Sequence, residues 1–395
     1  MKFNPLRDKQ VKFSNIKQKL TKKDFFGEAP APFIGRYNYP NINVGILSPV
    51  DIKDNTWEYD APRHWSSQDY QIPNIIDFRS ELINSRFTSN VNDAQKLSAK
   101  MLHITQEVGM ASKPVEVEIN LEKKPFFRID TNKFVAPTGP KGHIEKARIT
   151  SNSKISSKVE YVVNDYALKA ESAAINLYEK GFDEQVVQKL LSVGTLGIKT
   201  QRKLAPTRWS ITAADDTIGK HLIKEIKQHS EADYQAYMGG YLGNYYLILL
   251  FPEPWSYELF ETYVKDGKQQ IQNPDYTTDF EVYEGRKSYA KDTVGGYYSV
   301  RLAILEHLKQ IKRQATAIAL RFITNEYTLP LGVFVTREAA RRAMSNKPIT
   351  FSDKTLLIKY ADLIIKRKFN FDIHYLLNNS YLYRKQKFQK KLSAF

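Results

Sequence analysis

Seven consecutive residues, Tyr245–Phe251, read YYLILLF. A bilayer takes about 20 apolar residues to cross, so this run is far too short to span one. An uninterrupted apolar stretch of this length reads as a strand buried in a core. A core needs chain to build it, and 395 residues are enough for one large domain or two. The sequence has no cysteine, which excludes disulfides, zinc–thiolate sites and a cysteine nucleophile. No long apolar run at the N-terminus suggests a signal peptide. A soluble cytosolic protein is the expectation.

Around the apolar run the pattern switches between periods of two and of 3.6. VEVEINL (Val115–Leu121) alternates and predicts a strand with one wet face. Ser157–Asp165 (SKVEYVVND) and TRWSIT at Thr207–Thr212 also read as strands. Helices are predicted at Ile75–Ile83, Asn92–Met110, Ala167–Gly181, Gln185–Ser192, Pro254–Val264, Tyr297–Arg313, Thr336–Met344 and Thr355–Lys366. The Ala167–Gly181 helix ends on a glycine, as helix C-termini prefer, and Thr336 is placed to cap its helix. ADDTIGKHLIKEI (Ala214–Ile226) reads as a helix with acids in its first turn. DFFGEAPAPFIGRYNYPNINVGIL (Asp24–Leu47) mixes Gly and Pro with aromatics and predicts a packed, irregular segment. The fold class is α+β, a mixed sheet with several packed helices and flexible basic termini, and without a βαβ rhythm. The organisation expected is a basic arm over 1–24, an N-terminal region over 25–265, a linker over 266–279, a C-terminal helical region over 280–383 and a tail over 384–395.

The formal net charge is +16, a balance that favours polyanionic partners. It gathers at the ends. Residues 2–23 hold Lys2, Arg7, Lys9, Lys12, Lys17, Lys19, Lys22 and Lys23 against Asp8 alone. Residues 384–391 hold Arg384, Lys385, Lys387, Lys390 and Lys391 and no acid. Such arms suit nucleic-acid contact.

Two interior segments have the residue types of an anion site. In the first, Lys199, Arg202, Lys203, Arg208 and Lys220 bracket Thr207, Ser210, Thr212, Asp215 and Asp216. Guanidinium and ammonium groups meet phosphate oxygens while hydroxyls fix orientation. Asp215 or Asp216 is a candidate magnesium ligand or base, although a plain helix-start acid is the favoured reading. In the second, Tyr283–Arg301, Arg286 and Arg301 flank Gly295 and Gly296, whose amides at a helix start can receive an anion. Tyr297 and Tyr298 there suit either base stacking or core packing. Neither GxGxxG nor GxxxxGK[ST] occurs, and VGTLGIK (Val193–Lys199) has the wrong spacing. The seven histidines show no metal-ligand spacing.

The sequence closes on QKKLSAF, with Gln389, Leu392 and Phe395 three apart. In a 3₁₀ turn these positions eclipse one another and form one apolar side with a Gln at its rim. This resembles the peptide by which replication and repair proteins dock on the sliding clamp, without that motif's second aromatic. A second match, Gln235, Met238 and Tyr241, runs toward the apolar strand and reads as structural.

Four blocks carry a wider resemblance: the Asp24–Leu47 segment, RKLAPTRWSITAADDTIGK, YEGRKSYAKDTVGGYYSVRLAILEHL and LPLGVFVTREAARRAM. Together they resemble the Nre family of archaeal DNA repair proteins, of the NreA type. The resemblance implies a role in repair of DNA damage and binding to the archaeal sliding clamp (PCNA) through Gln389, Leu392 and Phe395. Some relatives carry a cysteine zinc cluster near the N-terminus; a chain without cysteine is not expected to hold that zinc. The alternative to a clamp-docked DNA-binding factor is an enzyme on a nucleotide or DNA end, with its phosphate pocket built from 199–220 and 283–301.

Overall fold

The structure, a computed structural model, describes residues 22–96, 98–125, 129–264 and 275–388. Two six-stranded mixed sheets carry the fold, with helices packed on them, so the α+β class is as expected. The chain divides into two compact units. The first comprises the described residues up to Ile218 with Leu329–Gly332. The second comprises Gly219–Thr328 and the described residues from Val333 onward.

In the first unit the segment expected to be irregular is three strands, β1 (Asp24–Ala29), β2 (Ala31–Ile34) and β3 (Asn41–Ser48). They are followed by β4 (Ile83–Asn90), β5 (Val115–Leu121) and β6 (Lys141–Ile149) in the order β1-β5-β6-β4-β3-β2. All neighbours are antiparallel except β4 and β6. The glycines and prolines there punctuate short strands. Helices α1 (Pro62–Ser67), α2 (Ile72–Glu81), α3 (Lys100–Met110), α4 (Ser157–Asn164), α5 (Ala170–Glu179) and α6 (Glu184–Ser192) complete the unit before α7 (Thr207–Ile226). Ile46, Ile83, Val108, Val117 and Ile119 form a core between sheet and α3.

Two predicted strands here are helices. SKVEYVVND forms α4, because Val159 and Val162 are buried three apart while Tyr161 is exposed. TRWSIT opens α7. Its buried positions, Thr207, Ser210, Ile211, Ala214, Asp215, Ile218, Gly219, Leu222, Ile223 and Ile226, follow a helical stripe. Gly181 does follow α5 with φ +89°, the left-handed conformation that a glycine adopts without strain.

A charged knot ties the first unit together. The Asp60 carboxylate accepts from Arg79 Nη1 at 2.8 Å and from Gln185 Nε2 at 3.0 Å, and pairs with Lys189 Nζ at 3.1 Å. Arg79 also donates to the carbonyls of Pro137 and Tyr59.

The second unit holds β7 (Tyr234–Tyr241), β8 (Asn244–Phe251), β9 (Ser256–Tyr263), β10 (Tyr276–Glu281), β11 (Thr316–Ile323) and β12 (Ile349–Phe351), ordered β10-β9-β11-β8-β7-β12. Its helices are α8 (Gly295–Gln310), α9 (Phe334–Ser345), α10 (Lys354–Phe369), α11 (His374–Leu377) and α12 (Tyr381–Phe388). YYLILLF is strand β8, as predicted. Leu247, Leu249 and Phe251 join Ile318, Leu320 and Phe322 of β11 in the core that α10 covers.

Pro254–Val264, predicted as a helix, forms β9 instead. It pairs with β10 on one side and β11 on the other, with Tyr257 and Leu259 on one face and Glu258 and Phe260 on the other. Of residues 266–279, expected as a linker, Tyr276–Asp279 belong to β10, and 266–274 lie outside the described residues. The C-terminal region carries strands β11 and β12 besides its helices. Residues 384–388, expected in the tail, belong to α12. Its first turn is held by the buried Glu258 carboxylate, which accepts from Ser380 Oγ and from the amides of Tyr381 and Leu382. Thr336 sits inside the first turn of α9 and donates to Val333 O at 2.7 Å, so it is not the cap.

Burial alone would raise the Asp60 carboxyl, but Lys189, Arg79 and Gln185 outweigh it and hold it below the ordinary aspartate value. Its stabilising contribution is complete above the unfolded-state value of about 4 and is lost as pH falls through the lower folded value. Asp60→Asn is expected to flatten the acid limb of stability against pH in thermal melts. Arg79→Ala should cost about 3 kcal/mol at neutral pH by denaturant unfolding.

Candidate nucleic-acid interface

The first basic segment is mounted on the first unit's sheet by hydrogen bonds. Thr207 Oγ1 accepts from Ile34 N at 2.9 Å, which fastens the start of α7 to β2. Leu204 N donates to Val91 O, and Val91 N donates to Pro40 O, so this stretch runs beside the β2–β3 hairpin. The cations differ in what they do there. Arg202 is buried and donates to Gly197 O at 2.8 Å and Val163 O at 2.7 Å. Its desolvation lowers the guanidinium below its ordinary value. Lys199 lies over the Tyr166 ring at 4.2 Å, and the Arg208 guanidinium over Phe134 at 3.2 Å. Lys203 is exposed. Arg202 thus holds the loop in shape, while Lys203 faces solvent.

Asp215 and Asp216 are in the third turn of α7, not the first, because the helix begins at Thr207. Asp215 lies on the buried stripe and Asp216 is half-buried. Among the described residues, the group whose donor atoms approach within 4.8 Å of one another is Asp362, Asp372 and His374, which includes neither of these acids.

In the second unit, Lys220 is exposed on α7, and the next residue inward, Gly219, packs against the Arg301 guanidinium. The two arginines of 283–301 turn inward, while Lys287 and Lys291 are exposed. Arg301 Nη1 meets Glu281 Oε2 at 2.8 Å with both side chains buried, and Trp255 Nε1 donates to the other Glu281 oxygen at 3.0 Å. Arg286 is paired with Asp279 at 2.6 Å and donates to the carbonyls of Phe280, Ser288 and Tyr289. The loop before α8 already receives an anion, the Asp279 carboxylate. That group accepts from Asp292 N at 3.0 Å, Thr293 N at 2.8 Å and Thr293 Oγ1 at 3.0 Å.

Gly295 and Gly296 are buried helix residues. A Cβ on Gly296 would stand 2.7 Å from Glu261 Oε1, and one on Gly295 would stand 2.6 Å from Val333 Cγ2. Tyr297 is fully buried and Tyr298 nearly so, so their rings pack the core and offer no face to a base. Both glycines serve close packing.

Two family models match successive parts of the chain. Residues 2–268 match "Archaeal Nre, N-terminal", and residues 281–395 match "Archaeal Nre, C-terminal". The chain belongs to the archaeal Nre family. It is 34% identical over 330 residues to the DNA repair protein NreA of Haloferax volcanii, covering 81% of this chain and 78% of the relative. It is 35% identical over 349 residues to the DNA repair protein NreB of Archaeoglobus fulgidus, covering 87% and 86%. The NreA of that organism is 32% identical, with 82% and 80% covered. No solved structure matches.

For this Nre chain, Gln389, Leu392 and Phe395 lie outside the described residues, as does the basic arm up to residue 21. The decoy peptide is structural: Gln235, Met238 and Tyr241 lie in β7, where residues three apart point to opposite faces. Reading the sequence overlooked Arg36, Tyr37 and Tyr39 at the β2–β3 turn and Trp209 on α7. The available signal was RYNYP, aromatics alternating with turn residues. No helix among the described residues is long and apolar enough to cross a membrane.

Gly296→Ala would drive a methyl group into a carboxylate held by Arg321, and is expected to lose about 1–3 kcal/mol in denaturant unfolding. Gly285, with open space around its missing Cβ, controls for composition: changing it should cost only the strain of its φ of +86°, about 1 kcal/mol.

Proposed function

We propose that this chain is a DNA repair factor that docks on the archaeal sliding clamp (PCNA) through its C-terminal peptide and contacts DNA. The observation that carries the reading is similarity along most of its length to relatives named DNA repair proteins. Two sequence features support the finer parts. Gln389, Leu392 and Phe395 keep the three-residue spacing of a clamp peptide, and they follow the cations Arg384, Lys385 and Lys387. The peptide comes directly after α12, whose first turn Glu258 anchors to β9. A fixed helix followed by a short apolar plug suits capture by a groove on a ring.

The energetics fit a tether. A short plug of this kind binds in the micromolar range, about −8 kcal/mol. A ring that encircles DNA then raises the effective concentration of the basic segments at the duplex. The eight cations of residues 2–23 supply sequence-independent affinity through counterion release. In this arrangement the clamp sets where the protein works, and the folded units meet the damaged DNA.

Leu392→Ala combined with Phe395→Ala is expected to abolish clamp binding by calorimetry; undiminished binding would sink the docking role. Deletion of residues 1–23, which stops short of β1, should weaken DNA binding and flatten its salt slope. An unchanged slope would remove the arm from the interface.

A further inference from the structure

We propose that the β2–β3 hairpin tip and the first turn of α7 form a stacking platform for the unpaired bases of single-stranded DNA. The inference deepens the DNA-contact reading above and rests on it. Tyr37 is 69% exposed, Tyr39 53% and Trp209 48%. The Tyr39 and Trp209 rings stand 5.7 Å apart between centroids, tilted by 50°. The Arg36 guanidinium lies 4.7 Å above the Tyr37 ring, and its Nη2 donates to the Tyr37 hydroxyl at 3.2 Å.

These rings do nothing evident for the core. The aromatics that build this protein are buried, among them Trp65, Trp255, Tyr257 and Tyr297. At the hairpin tip the whole run Arg36–Pro40 is exposed, and Asn38 takes a positive φ of 64°, which turns the chain between the two tyrosines. The result is three large π-faces and a guanidinium on one corner of a rigid support. That support is fastened by the Thr207–Ile34 and Leu204–Val91–Pro40 bonds described above.

Charge selects the occupant. Residues 29–50 contain no acid. Residues 199–209 contain Lys199, Arg202, Lys203 and Arg208 and no acid either. A partner that pairs exposed aromatic faces with a negative backbone is a nucleic acid, and rings need unstacked bases to meet, so the strand is single. Duplex bases expose only their edges in the grooves. A protein partner is the competing occupant, but two acid-free stretches meeting on a chain of net charge +16 favour the polyanion.

The test uses the full chain and fluorescence anisotropy with labelled oligothymidine and a duplex of equal length. Preference for the single strand is expected. Trp209→Ala and Tyr39→Ala should each weaken single-strand binding about tenfold, while duplex affinity and thermal midpoint stay as they are. The slope of log K against log salt should also hold, because no charge is removed, whereas Arg36→Gln should lower it by about one. Trp209→Phe should restore most of the loss. If the two alanine variants bind the single strand as well as wild type, or wild type prefers duplex, the platform is overturned and the DNA-contact reading stands. If wild type binds neither form, both fall, and the patch is left to a protein partner.

Discussion

Arg321 brings a full charge into β11, a strand buried along its whole length, and the second unit is arranged around that charge. Its Nη1 meets Glu261 Oε1 on the parallel neighbour β9, while Nε and Nη2 both donate to Asn244 Oδ1 at the start of β8. Burial disfavours the cation, but its polar surroundings, the Glu261 carboxylate among them, more than compensate and raise it above its ordinary value. A buried ion pair is stable only while every donor has its acceptor. Space beside Glu261 is therefore fixed, and the helix passing over it must have no side chain at that point. That helix is α8, and the residue is Gly296.

From this constraint the role of the Tyr283–Arg301 segment follows. With α8 seated against Glu261, Tyr297 fills the core beside Tyr257, and Arg301 reaches Glu281. Arg286 and Asp279 close the loop before the helix. The two arginines of this segment, which suit a phosphate site by type, are here consumed by internal carboxylates. In the first unit Asp60 and Arg79 do comparable work, joining the turn before α1, helix α2 and the loop at Pro137, with α6 brought in through Lys189. An arginine that already holds a carboxylate and carbonyls has little left to offer a ligand. In the first unit, Lys203, Arg36 and the ring faces of Tyr37, Tyr39 and Trp209 are among the groups that face outward.

The errors in reading elements have a common origin. Pro254–Val264 begins with Pro and carries glutamates at helical spacing, yet it forms β9 because strands on both sides complete its hydrogen bonds. SKVEYVVND and TRWSIT are rich in β-branched and aromatic residues, yet form helices because their apolar positions fall three and four apart against a neighbouring layer. Local preference amounts to tenths of a kcal/mol per residue, and burial of a face outweighs it. YYLILLF and VEVEINL were legible because pattern and environment agree. The site followed the same rule. The basic character of 199–209 was visible, but the Tyr39–Trp209 pair joins residues far apart in sequence, so no local window contains it.

The sequence by itself determined the α+β class, the apolar strand β8, the basic balance, the absence of thiol chemistry and the resemblance to the archaeal Nre family. These depend on composition, on short-range periodicity and on long blocks of similar residues, all of which are linear properties. Tertiary structure decided which charges are internal and which face outward, why α8 begins with two glycines, and that three exposed rings share one corner of the first unit. Those outcomes depend on partners brought together by strand pairing and helix packing. A guanidinium reads the same in sequence whether it meets a buried carboxylate or open solvent.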